Sequence, residues 1–100
     1  MRVMLRAHYN IAAANEGIKS GALLKAIDTL LETVQPEASY FGLAEGVRSV
    51  WIVFDLQESS QVPALVEDLI MQFEAEVEIA PVMNREDLAK GTAALKAMKG

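Results

Sequence analysis

The chain has 100 residues, a net charge of -5 and no cysteine, so disulfides, thiolate nucleophiles and cysteine-ligated zinc or iron–sulfur sites are excluded together. Hydrophobic residues make up 52% and charged residues 23% of it, which excludes a disordered chain, and no apolar run approaches the roughly 20 residues that cross a bilayer. The acidic balance, with its nine Lys and Arg residues scattered, opposes attraction to nucleic-acid phosphates or anionic lipid; the expected class is a soluble single domain over residues 1–100, with neither nucleic acid nor membrane as a partner.

The start, "MRVML", runs directly into strand-like alternation without the h-region and small-residue site of a secretory signal, so a cytoplasmic location is expected. In "VMLRAHY", Val3, Leu5 and Ala7 point one way and Met4, Arg6 and His8 the other. The next stretch, "NEGIKSGA" from Asn15 to Ala22, holds glycines, a lysine and a serine but lacks the Gly-Lys-Ser order of a phosphate loop, and it reads as a flexible connection. Leu23, Leu24, Ile27, Leu30, Leu31 and Val34 then repeat at helical spacing, and Pro36 ends that helix. "EASYFGL" and "RSVWIVFDL" form a hairpin turning at Glu45-Gly46. "ESSQVP" supplies serine N-cap candidates for a second helix carrying Val62, Leu65, Val66, Leu69, Ile70 and Phe73. "EVEIAPVM" alternates as a fourth strand, placed at a sheet edge by its proline. Asn84, with Asp87 three residues on, opens a short terminal helix with Leu88, Thr92, Leu95 and Met98.

The order β-α-β-β-α-β plus a terminal helix is the ferredoxin-like arrangement of the α+β class, with two helices over one face of a four-stranded antiparallel sheet. The third strand is apolar on both sides, Val50, Ile52 and Phe54 against Trp51 and Val53, so the second face also expects a cover. A second copy needs only one self-complementary patch. The expected assembly is a homodimer, a dimeric α+β barrel.

The stretch "SYFGLAEGVRSVWIVFDL", Ser39 to Leu56, resembles the hairpin of the GYD-domain family of small bacterial proteins, and "PVMNREDLAKG" is similar to that family's strand into a terminal helix. The similarity of element order covers nearly the whole chain. It implies the fold, a dimer and a bacterial origin, and it implies no catalytic residues, since none are established for the family.

With the turn at Glu45-Gly46, Tyr40 lies opposite Trp51 and Phe41 opposite Val50. If Phe41, Val50, Ile52 and Phe54 pack under the helices with Val3, Leu5, Val77 and Ile79, the open face collects Met4, Arg6, His8, Tyr40, Trp51, Asp55 and Glu78. In that arrangement Arg6 meets Glu78, and His8 approaches Asp55 or Trp51. A functional reading makes this a pocket for a small, partly apolar ligand, with aromatic walls from Tyr40 and Trp51, a cation from Arg6 and an acid or base from His8. The superfamily includes small cofactor-independent oxygenases and isomerases working in such pockets, and an enzyme of that kind would use His8 as general base beside Arg6. The plainer reading makes Arg6 and Glu78 an ion pair at the dimer seam, with His8, Tyr40 and Trp51 filling the interface. A non-catalytic homodimer that binds a small molecule or serves as an assembly module is the expected function. Glu67 and Asp68 should lie on a solvated helix face, and a single histidine completes no transition-metal site; no metal or cofactor is assigned.

Overall fold

A computed structural model describes residues 1–99. Strands β1 (Arg2–His8), β2 (Ala38–Ala44), β3 (Val47–Asp55) and β4 (Glu76–Pro81) form one antiparallel sheet in the order β2-β3-β1-β4. Helices α1 (Ile11–Ser20), α2 (Ala22–Val34) and α3 (Val62–Phe73) lie on one face, and α4 (Arg85–Lys99) follows β4. This is the expected ferredoxin-like α+β fold, with one additional helix between β1 and β2.

The alternation in β1 and β3 sets the layers. Val3, Leu5 and Ala7 with Val50, Ile52 and Phe54 are buried on the helix side. There they meet Ala14 of α1, Leu23, Ile27 and Leu30 of α2, and Val66, Leu69 and Phe73 of α3. The hairpin has the expected register, with Ala44 opposite Val47, Tyr40 opposite Trp51 and Phe41 opposite Val50. Glu45 and Gly46 both have positive φ, 55° and 80°, the two-residue turn whose twist matches the strands it joins. β4 lies at the sheet edge, where Pro81 costs no interior ladder bond.

The stretch Asn15–Ala22, expected as a flexible connection, belongs largely to α1. Asn10 caps that helix by accepting from the Ala13 amide at 2.9 Å. Its Gly17 is buried where α1 crosses α3: a Cβ there would stand 2.6 Å from Cε1 of Phe73 and 3.0 Å from Cβ of Leu23. Close approach, not flexibility, accounts for this glycine. Gly21, at φ 83°, ends α1 in the left-handed region and lets α2 start in a new direction.

Two other expectations change in detail. The turn before α3 is capped by Glu58, whose side chain pairs reciprocally with Gln61, and not by a serine. The capping box of α4 forms between Asn84 and Asp87 as expected, yet the helix, expected to be short, runs 15 residues and projects from the body. None of its residues is buried, and Leu88, Leu95 and Met98 are exposed. A radius of gyration of 16.2 Å and a long axis of 59 Å exceed the ~13 Å radius of a compact 100-residue domain; α4 extends as an arm about 22 Å long. Its base is tied down by Arg2, which pairs with Glu37 at the start of β2 and with Asp87 in the first turn of α4. The two carboxylates, Glu37 first, raise the Arg2 pKa above its ordinary value.

Candidate functional site

The sheet face away from α1–α3 is organised in cross-strand rows. One runs Tyr40, Trp51, Arg6, Glu78 across all four strands. The next, toward the hairpin turn, runs Gly42, Ser49, His8, Glu76, and on the other side runs Ala38, Val53, Met4, Ala80. Met4, Arg6, His8, Trp51 and Val53 are half-buried, and Tyr40 and Glu78 are exposed. The Trp51 ring leans toward Gly42, where a Cβ would lie 3.5 Å from it; the indole covers the bare backbone that a glycine leaves in an edge strand.

Six of the seven residues anticipated for this face therefore stand in these three adjoining rows, and the seventh does not. Asp55 pairs in register with Arg2, about 20 Å along the strand from His8. It accepts from the Met1 ammonium at 2.6 Å and from Gln57 at 2.7 Å, and the ammonium's hydrogen bond and charge lower its pKa. Strand length separates it from His8, because the two residues sit at opposite ends of the β1–β3 ladder.

Nor does His8 stand opposite Trp51, which pairs with Arg6; it meets Ser49 instead, with Nδ1 2.7 Å from Oγ. The Ser49 hydroxyl also donates to the Val47 carbonyl at 3.1 Å. With that proton engaged, Oγ accepts from Nδ1–H, which assigns the neutral ring's lone pair to Nε2; the tautomer follows from the network. Arg6 and Glu78 are register partners, but no ion pair joins them among the described residues, and Arg6 Nε is buried without an acceptor. A buried, unpaired guanidinium N–H costs about 1–3 kcal/mol unless something supplies an oxygen.

On the opposite face, one feature was not anticipated. Phe41 has the expected orientation, but α2 does not reach over the edge strand, and Phe41 is 56% exposed instead of packed in the core. The gap is an apolar cleft of about 560 Å³. Leu24, Ile27 and Leu31 of α2 form one wall, Phe41 and Leu43 of β2 another, and Tyr9 and Arg48 lie toward the hairpin end. Sequence periodicity carried part of this signal, since Phe41 and Leu43 are large apolar residues on an edge strand. Reading Asn15–Ala22 as a loop left Ile18, also on the cleft wall, without a place.

Tyr9 is 4% exposed and packs edge-on against Phe73, with ring centroids 6.4 Å apart. Its hydroxyl is buried with no hydrogen-bond partner among the described residues. Burial pushes its pKa up to about 12 from 10.0. This raised pKa means that Tyr9's contribution to stability is complete below pH 10 and is lost as pH rises toward 12, up to about 2–3 kcal/mol. Tyr9→Phe is expected to raise stability at pH 7 by about 1–2 kcal/mol, by removing an unsatisfied buried hydroxyl, and to remove this part of the alkaline loss. Urea unfolding of both proteins at pH 7 and pH 11 measures it; an equal alkaline loss in the two would show that Tyr9 is not its source.

Among the described residues no group of three or more His, Asp or Glu converges as a metal site, and no helix is long and apolar enough to cross a membrane. No protein-family model matches the chain, and no curated protein matches it. Among solved structures, the chain is similar to "De novo designed protein Ferredog-Diesel", at 10% identity and a TM-score of 0.49, over 81% of this chain and 85% of that one.

Proposed function

We propose that this chain is a non-catalytic homodimeric domain, joined through its open sheet face, that holds a small, partly apolar molecule or serves as an assembly module. The observation that carries this reading is the half-buried apolar patch of Met4, Trp51 and Val53 around an Arg6 Nε with no acceptor. A two-fold copy would cover the apolar residues and bring its own Tyr40–Trp51–Arg6–Glu78 row across the axis, offering carboxylate oxygens to Arg6. The uncovered Leu88, Leu95 and Met98 of α4 favour the same conclusion, because an amphipathic helix gains its stability by burying its stripe. A cytoplasmic location and kinship with bacterial GYD-domain proteins belong to this reading. The kinship rests on the hairpin and the β4–α4 stretch, and Val47 and Arg48 stand after Gly46 where the family's name has tyrosine and aspartate.

Native mass spectrometry of the gently purified protein tests the reading. A dimer, with or without dissociable extra mass, is expected, and Arg6→Ala and His8→Ala are expected to weaken the dimer or its retention of that mass. A folded monomer would overturn it. The alternative is a cofactor-independent oxygenase- or isomerase-like enzyme, favoured by the Ser49 hydrogen bond that leaves Nε2 of His8 free to take a proton. It requires ring-sized space between the two sheets, and a dimer structure with that space filled by Tyr40 and Trp51 would rule it out.

A further inference from the structure

The helix-side cleft is separate from the sheet face used in the proposed dimer, and its chemistry is polarised. Toward the hairpin end lie Arg48 and Tyr9, whose hydroxyl is buried behind the cleft surface without a partner among the described residues. Arg48 donates to Asn15 Oδ1 at 2.9 Å, which holds the guanidinium beside α1, and it makes no ion pair among the described residues. The walls beyond are apolar, and their exposed members, Leu24, Phe41 and Leu43, are 57%, 56% and 74% exposed. The one acid in the lining, Asp28, lies one turn along α2 from Leu24.

We propose that this cleft is a binding site for an amphipathic monocarboxylate, its hydrocarbon body between α2 and β2 and its carboxylate at Arg48 and Tyr9. The volume of about 560 Å³ is that of a small-molecule site, and such sites combine apolar walls with a few polar groups that fix orientation. The two polar groups here are both donors. Arg48 presents a cation with unused N–H groups, and Tyr9 carries a buried O–H whose unpaired cost would be offset if the ligand oxygen opened the wall enough to reach it. Asp28 sets the charge limit: a second negative charge along the α2 wall would face its carboxylate, and the net charge of -5 opposes it further, so a single acidic head is selected over phosphates and dicarboxylates. The site would also explain why the chain keeps a hydroxyl that a phenylalanine would spare it. Unsatisfied buried groups in native structures are often functional.

Decanoate and its neutral counterpart decanol are suitable probes, followed by amide NMR shifts of the intact protein. The expected result is saturable binding of decanoate with shifts centred on Leu24, Ile27, Phe41 and Leu43. Arg48→Gln, at an exposed position, is expected to weaken decanoate about 10-fold or more while leaving decanol within about 2-fold, the scale of one charge-assisted hydrogen bond. Tyr9→Phe is expected to weaken both probes, although it unfolds less readily. Absence of saturable shifts, equal loss of both probes in Arg48→Gln, or shifts confined to the open sheet face would each overturn the proposal. So would cleft shifts that depend on protein concentration without any probe, which would mark a contact between copies. The subunit number is a separate readout, so a monomer that binds decanoate in the cleft would sink the dimer and leave this site standing.

Discussion

Val53→Glu is expected to give a folded protein in which the proposed dimer is roughly 100-fold weaker. Val53 sits on the open face of β3 in the row with Ala38, Met4 and Ala80, with no charged residue beside it in that row. A two-fold interface across this face would bury the substituted carboxylate twice, once from each copy, and an unpaired buried charge costs several kcal/mol. A penalty of about 3 kcal/mol corresponds to a roughly 100-fold weaker dimer. Within one chain the substitution is mild, because the side chain projects from the face opposite the core. Sedimentation equilibrium of parent and variant, with far-UV circular dichroism as a check on folding, measures the effect. A variant as dimeric as the parent would show that the open face is not the interface.

The second large effect is expected at Gly17. A Cβ on this residue meets Phe73, which is 2% exposed and packs edge-on against Tyr9, so the ring is buried among neighbours that must shift to make room. Overfilling a packed crossing costs about 1–3 kcal/mol. Gly17→Ala recovers up to about 1 kcal/mol in helix propensity and is expected to destabilise by about 1–2 kcal/mol. Gly17→Val adds further bulk with less propensity gain, and about 3 kcal/mol or more is expected. Gly91 is the control: it lies within α4, and nothing stands within 4 Å of a Cβ there, so Gly91→Ala should be neutral or slightly stabilising. Urea denaturation of the three variants tests this, and a Gly17→Val protein as stable as the parent would mean that α1 does not depend on this close approach.

The same glycine shows where sequence reading stops. The stretch "NEGIKSG", which makes up the second half of α1 and its C-cap, combines two glycines with polar residues, a composition that locally favours a loop. Its helix is secured by the Asn10 cap and by burial of Ala14 and Gly17 against the body, and packing of this kind overrides weak propensity. The hairpin was legible for the opposite reason. Glu45-Gly46 is a strong turn signal, and once it is placed, the two-residue period fixes every cross-strand pair from Ala44–Val47 back to Tyr40–Trp51. The candidate site divides along the same line. Glu78 opposite Arg6 was anticipated and matches the register, whereas Trp51 opposite Arg6 and not His8, the His8–Ser49 bond, the isolation of Asp55 and the partnerless Tyr9 hydroxyl depend on relative strand offsets and on side-chain reach.

The sequence by itself determined the ferredoxin-like element order, the hairpin register and which residues share each face of the sheet, because these follow from local periods of two and 3.6 residues and from turn chemistry. Only the tertiary structure decided how far α2 stands from β2, that α4 projects with its stripe uncovered, and that Tyr9, Arg48 and Phe41 border one cleft. Those outcomes depend on distances between layers. Such distances are set by side-chain volumes at a few crossings, Gly17 against Phe73 above all, and no periodicity along the chain encodes them.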